Sequence, residues 1–276
     1  MALAGCAHRL LPWGPRRLIA VGTDFLLKID ALSVSFGGVK ALENYRLNLE
    51  ASRILGIIGP NGAGKTTLFN LITGFIRPDT GRVFFNGRNI TRWEPYRIAR
   101  QGITRSFQNI CLFGRLSVLD NVVAGCQIRR RPSFASTLFR TRAFLRDEKK
   151  LQDRARHLLS VFGLEQQAER RAMNLAYGDQ RRLEIARALA AGPRLLMIDE
   201  PAAGMNPKET QDLLDLILEL KARFSLTIIL IEHNMNLVMP LCETVQVLNY
   251  GRLVAEGTPA QIQRNPEVID AYLGDR

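Results

Sequence analysis

The sequence predicts an α/β fold with a mostly parallel sheet and helices on both faces, and three observations carry that prediction. A complete G-x-x-x-x-G-K-S/T match, Gly59-Pro-Asn-Gly-Ala-Gly-Lys-Thr66, stands between the apolar runs Ile54 to Ile58 and Leu68 to Ile72, the order strand, glycine loop, helix. A second apolar strand, Leu195 to Ile198, ends on the adjacent carboxylates Asp199 and Glu200. From Gln180 onward, helix-period and strand-length apolar segments alternate, as βαβ units require.

The elements follow in order. Leu26 to Phe36 partly alternates apolar and polar residues and runs into Gly37-Gly38, a strand and its turn. Ala41 to Leu49 and Gly81 to Gly87 read as further pieces of an antiparallel β layer beside the glycine loop. Ser117-Val-Leu-Asp120 has the spacing of a capping box and opens a helical stretch reaching about Arg171, broken by a loop at Arg129-Arg-Arg-Pro132. Beyond it come helix Gln180 to Ala191, strand Leu195 to Ile198, helix Lys208 to Phe224, strand Thr227 to Ile231, helix Asn236 to Leu241 and strand Thr244 to Leu248. Ligands of such sheets sit at the carboxyl ends of the strands, where the glycine loop lies.

Composition narrows the class. With 276 residues and 46% hydrophobic content the chain buries a substantial core and is neither disordered nor fibrous. Its formal charge of +12 points to an anionic partner without choosing among membrane surface, nucleic acid and nucleotide. The cysteines Cys6, Cys111, Cys126 and Cys242 form no C-x-x-C pair, which fits reduced, structural thiols. No apolar run reaches the 18 residues that a membrane-spanning helix needs. Residues 1–25 are expected to be a poorly ordered N-terminal extension ahead of the folded chain. Residues 129 to 158 carry ten Lys or Arg against three Asp or Glu. This basic segment reads as a solvated helical face, a headgroup-facing arm or a nucleic-acid surface; no aromatic pair at single-strand spacing accompanies it, and no nucleic acid is expected.

The chemistry is that of phosphate. Glycines let the segment Gly59, Pro60, Asn61, Gly62, Ala63 and Gly64 turn its backbone N–H groups toward α and β phosphates, with Lys65, Thr66 and Thr67 at the positive end of the following helix. Lys65 reaches the β and γ phosphates, and the Thr66 hydroxyl is placed to hold Mg²⁺. Asp199 at its strand end orients Mg²⁺ through water, while Glu200 accepts the proton of the water that attacks the γ phosphate.

With these residues in place the chain resembles the ATP-binding subunit of an ABC transporter over about residues 26 to 276, and the matching segments run in the expected order. Phe36 resembles the aromatic that stacks on adenine. Gln108, in Ser106-Phe-Gln-Asn109, resembles the glutamine that contacts Mg²⁺ and the water and faces the membrane subunits. Leu175-Ala-Tyr-Gly-Asp-Gln180 sits where the family signature lies, Met205-Asn-Pro207 resembles the loop that crosses the dimer, and His233 resembles the switch histidine. The resemblance implies ATP and Mg²⁺ as cofactors and a site completed in trans. Ala176, Gly178 and Asp179, near the start of a helix, would face the γ phosphate held by a second ATPase subunit. The signature departs from Leu-Ser-Gly-Gly-Gln at Ala176, Tyr177 and Asp179, and loss of the serine donor is expected to weaken transition-state stabilisation by about 1–3 kcal/mol. The family architecture implies a helical subdomain at about 115–178 and a C-terminal tail at 250–276.

Asn174 to Arg187, Asp199 to Glu209, Ile231 to Asn234 and Glu256 to Gly274 further resemble the larger ATPase subunit of bacterial branched-chain amino acid importers. That resemblance implies a smaller ATPase as partner, or a homodimer when isolated, together with two transmembrane permeases and, indirectly, a periplasmic solute-binding protein. It places the chain peripherally on the cytoplasmic face of the inner membrane. A glutamine is usual where Asp179 stands. Urea, short-chain amides or lipid-linked export, and a soluble ATPase acting on ribosomes or DNA, are the alternative readings.

Overall fold

A computed structural model describes residues 25–128 and 141–273. The expected extension, apart from its last residue, and the expected Arg129 to Pro132 loop lie outside these residues. Strand β1 (Leu27–Phe36) and strand β2 (Val39–Leu49) form a hairpin through Gly37 and Gly38, whose φ values of 55° and 84° suit residues without a Cβ. Strand β3 (Ile54–Ile58) leads through the glycine loop into helix α1 (Lys65–Ile72), which starts three residues before the apolar run. Strands β4 (Thr80–Phe85) and β5 (Arg88–Asn89) complete an antiparallel sheet of order β2-β1-β4-β5. Helix α2 (Pro95–Gln101), with proline in its first turn and Gly102 as its left-handed cap, precedes strand β6 (Ile103–Arg105).

Helices α3 (Val118–Gln127) and α4 (Arg142–Val161) and 3₁₀ turns at Glu165–Gln167 and Ala172–Asn174 make up the described part of the helical stretch. Ser117 caps α3 by accepting from the Asp120 N–H, but its hydroxyl satisfies the Asp120 carboxylate, so the reciprocal bond of a capping box is absent. A Cβ on Gly125 would lie 2.3 Å from the Arg187 carbonyl, so this glycine sets how closely α3 meets helix α5 (Tyr177–Ala190). Helix α4 buries Ala155, Leu158 and Leu159 and exposes Arg142, Arg146, Lys149, Lys150 and Arg156.

Strand β7 (Leu195–Asp199), helix α6 (Pro207–Phe224), strand β8 (Thr227–Ile231), helix α7 (Met235–Leu241) and strand β9 (Thr244–Asn249) give the expected alternation. Strand β10 (Arg252–Gly257) and helices α8 (Pro259–Gln263) and α9 (Pro266–Leu273) follow. The main sheet runs β10-β9-β3-β8-β7-β6, all parallel except the antiparallel β10.

Alternation along the central strands divides two cores. Ile54 and Ile58 of β3, Leu196 and Ile198 of β7, and Ile228 and Leu230 of β8 face helices α3 to α7. Their neighbours Leu55, Ile57, Leu195, Met197, Ile229 and Ile231 face α1, α2 and the antiparallel sheet. Each such Ile or Leu contributes about 1.5–3 kcal/mol by leaving water, so strands buried on both faces hold the site's backbone rigidly. The hairpin between β9 and β10 is hooked to the glycine loop: the Gly251 N–H donates to the Ala63 carbonyl at 3.0 Å, and the Gly251 carbonyl accepts from Glu43 N–H at 2.8 Å. Among the described residues no helix is long and apolar enough to cross a membrane.

Candidate active site

The glycine loop closes at the carboxyl end of β3. Gly59, Gly62 and Gly64 take φ values of 150°, 80° and 101°; a Cβ at Gly59 would fall 2.0 Å from the Leu248 carbonyl, and one at Gly64 would fall 2.5 Å from that of Ala41. The loop is therefore pressed between β2 and β9, and the Ala41 contact ties the end of the β1–β2 hairpin to it. Phe36 stands on that hairpin, 48% exposed. The buried Lys65 ammonium donates to the Gly59 and Pro60 carbonyls at 2.6 and 2.9 Å. Desolvation lowers its pKa below 10.5, opposed by the nearby charges of Glu200 and Asp199. Thr66 is exposed and Thr67 half-buried in the first turn of α1.

The adjacent carboxylates at the end of β7 behave differently. Asp199, 1% exposed, pairs with Arg105 of β6, whose Nη2 lies 2.7 Å from Asp199 Oδ2. Burial pushes the Asp199 carboxyl above its ordinary value while Arg105 pulls it back. Arg105 also donates to Asn70 Oδ1 at 2.6 Å and lies over the rings of Phe69 and Phe107. Glu200 takes the left-handed backbone, φ 43°, an uncommon conformation for a residue with a Cβ. Its N–H donates to the Ile231 carbonyl, and its carboxylate accepts from Gln108 Nε2 at 2.9 Å. His233 Nδ1 stands 3.8 Å from Glu200 Oε1 and 3.9 Å from the buried Glu232. Glu200, Gln108 and His233 thus converge at the carboxyl ends of β6, β7 and β8, and Lys65 shares their electrostatic field.

The turn at Leu175 to Gln180 is elsewhere. Among the described residues no hydrogen bond or ion pair joins it to residues 59–67. Ala176 is the N-cap of α5 and makes no side-chain cap bond. The helix therefore starts at Tyr177, ahead of the expected start at Gln180, and Gly178 and Asp179 lie within its first turn. Asp179 accepts from Gln167 Nε2 at 2.9 Å, and the Tyr177 hydroxyl donates to the Ala203 carbonyl at 2.9 Å. Asn206, at the end of the 201–206 segment, caps α6 with a full capping box to Glu209.

Residues 42–203 match the family described as ABC transporter. The chain belongs to the ABC transporter family. Residues 252–276 also match a family described as branched-chain amino acid ATP-binding cassette transporter. The chain is 44% identical over 250 residues to the high-affinity branched-chain amino acid transport ATP-binding protein BraF of Pseudomonas aeruginosa, and 45% identical to LivG of Escherichia coli K12, a protein of the same description. Each comparison spans 91% of this chain and 98% of the relative. Its fold is similar to that of an ATP-binding cassette of an ABC transporter in its ADP conformation: TM-score 0.78 at 33% identity, covering 91% of this chain and 99% of the other. The ABC fold expected from the motifs is the fold observed.

Several residues around the site escaped sequence reasoning. Arg105 sits in a three-residue strand with no periodic signal. Glu232 precedes His233 and accepts backbone N–H groups from Ala202, His233 and Asn234. Arg181 and Glu184 are buried beneath the site. A signal for these last two did exist: Arg181, Glu184, Ile185 and Leu189 fall on one stripe at helical spacing, with Ile185 and Leu189 marking it as the inner face.

Proposed function

We propose that this chain is the ATP-hydrolysing subunit of a bacterial importer of branched-chain amino acids, acting with a second, smaller ATPase, two transmembrane permeases and a periplasmic solute-binding protein. It sits peripherally on the cytoplasmic face of the inner membrane. The observation that carries the solute class is the match of residues 252–276 to the branched-chain family, joined to relatives of that description along almost their whole length. Residues 26–276 form one ATPase domain in this reading, with a helical subdomain at about 115–178 and the tail at 250–276 as its family-specific parts.

The site fits a magnesium nucleotide. A buried ammonium whose hydrogen bonds among the described residues go to two loop carbonyls is a cation built to receive phosphate. The Thr66 hydroxyl, the Gln108 amide and, through water, the second oxygen of Asp199 are the hard oxygen donors Mg²⁺ takes. When bound, the ion neutralises charge on the β and γ phosphates. Phe36 offers its exposed face to the adenine. Gln108 orients the attacking water, Glu200 takes its proton as the water oxygen bonds the γ phosphorus and the bond to ADP breaks, and His233 holds the γ phosphate oxygens. The N–H groups at Ala176, Gly178 and Asp179 serve the nucleotide of the opposite subunit, which the exposure of Ala176 and the partial exposure of Gly178 and Asp179 support.

Reconstitution with the four partners in proteoliposomes tests the reading. Uptake of labelled leucine that requires ATP inside the vesicles supports it; uptake of urea or a short-chain amide instead, with none of leucine, isoleucine or valine, overturns the solute assignment.

A further inference from the structure

One residue beneath the site touches more of it than any group assigned a role above. Arg181 is 0% exposed. Its Nη1 donates to the Phe107 carbonyl at 2.6 Å and to Glu184 Oε2 at 2.8 Å. Its Nη2 donates to the carbonyls of Glu200 at 2.7 Å, Gln108 at 3.1 Å and Asp199 at 3.3 Å, and its Nε to that of Pro201 at 3.2 Å. Glu184 in turn accepts from the Phe107 N–H at 3.0 Å, so the pair grips the backbone of Phe107 through the peptide units on both of its sides.

We propose that Arg181, braced by Glu184, is a positioning residue that transmits the placement of helix α5 to the hydrolytic pair Gln108 and Glu200 of the same chain. The inference rests on the functional reading above and adds a regulatory route to it. Arg181 lies one turn inside the helix whose first turn faces the opposite nucleotide. A buried arginine serving packing alone would be satisfied by any carbonyls; these belong to the two segments that carry the site, 107–108 and 199–201. The planar guanidinium spans both segments at once, as a lysine ammonium cannot. A shift of α5 on contact with the opposite nucleotide therefore moves both backbones together and makes or breaks the 2.9 Å bond between Gln108 and Glu200. The same fork holds the carbonyl of Glu200 while Ile231 holds its N–H, pinning the left-handed turn from both sides.

The test uses the complete transporter in lipid nanodiscs, with Arg181→Lys, Arg181→Gly and Glu184→Gln, each alone and with Gln108→Ala, and Glu200→Gln as reference. Fluorescent-ATP affinity, kcat and thermal midpoint are read together. Arg181→Lys is expected to keep ATP affinity within about threefold while lowering kcat about 100-fold, since a misplacement near 1 Å has that effect. Gln108→Ala added to it removes no more than about twofold further, because both act through one geometry. Added guanidinium raises kcat of Arg181→Gly, and ammonium does not. If the glycine variant fails to fold, the lysine and Glu184→Gln variants decide. The proposal is overturned if kcat per folded site stays within about threefold of the unmodified complex, or if the losses with Gln108→Ala are additive. Hydrolysis by Glu200→Gln at the unmodified rate overturns the general-base reading itself and the coupling with it.

Discussion

The Gln108 amide donates to the Glu200 carboxylate at 2.9 Å across 92 residues of chain. It is a direct side-chain link between the segment expected to face the membrane subunits and the residue proposed as the general base. Replacing Glu200 by Gln keeps a hydrogen-bonding side chain but removes the base, so hydrolysis should fall by about 10²–10⁴-fold with ATP binding intact. Single-turnover hydrolysis beside equilibrium binding checks both halves. Weakened binding with unchanged turnover would move Glu200 out of the base role.

Lys65 gives ATP binding a dependence on pH. Burial lowers its pKa below 10.5, whereas phosphate favours its charged form, so binding takes up a proton where the free chain has lost it. Affinity should therefore be full below the lowered pKa and decline as pH rises through it. Calorimetry in buffers of different ionisation enthalpy reads that uptake. Lys65→Met should abolish it and cost about 1.5–3 kcal/mol of binding.

Glu232 gives stability a dependence of definite sign. Burial pushes its carboxyl above 4.5, against the backbone N–H groups of Ala202, Asn234 and His233. Between 4.5 and the folded value the folded chain keeps a proton that the unfolded chain has released, so this group's stabilisation is full below 4.5 and lost as pH rises. Glu232→Gln retains an acceptor and cannot ionise. At about pH 7.5 it should equal or exceed the unmodified chain by up to about 1 kcal/mol, with the difference vanishing on acidification. Urea unfolding across that range measures it, and a difference that grows on acidification would contradict the sign.

Gly125 predicts a packing effect. Its hypothetical Cβ stands 2.3 Å from the Arg187 carbonyl and 2.9 Å from the Ala190 Cβ, and backbone cannot yield as a side-chain end can. Gly125→Ala should push α3 from α5 and destabilise by about 1–3 kcal/mol despite the better helix propensity of alanine. Thermal unfolding is the measurement.

The parts of the site legible in the sequence were those that chemistry ties to short spacing. The glycine loop and the strand-end carboxylates announce themselves because close phosphate approach and proton transfer leave few choices of residue. Helix starts were less legible: α5 begins at Tyr177 behind Ala176, which has no side chain to cap it, so no cap residue marked the boundary. Buried charge was hidden for another reason. Arg105 has no periodic signal, and although Arg181 and Glu184 fall on the inner stripe of their helix, only the fold reveals that the partners of Arg105 and Arg181 include a carboxylate and backbone carbonyls distant along the chain. Tyr177 reads as an odd residue in a signature, whereas in space its hydroxyl fastens that turn to the 201–206 segment.

The glycine loop appears early in the chain, yet what holds it comes late. Both parallel neighbours of β3, namely β8 and β9, lie within residues 227–249, and the Gly251 N–H anchors the Ala63 carbonyl. During synthesis the ribosome completes the loop's sequence long before it makes the strands that flank it, and such non-local pairing forms slowly. The phosphate motif is therefore made before the strands that hold it, and its final geometry waits on residues 227–251.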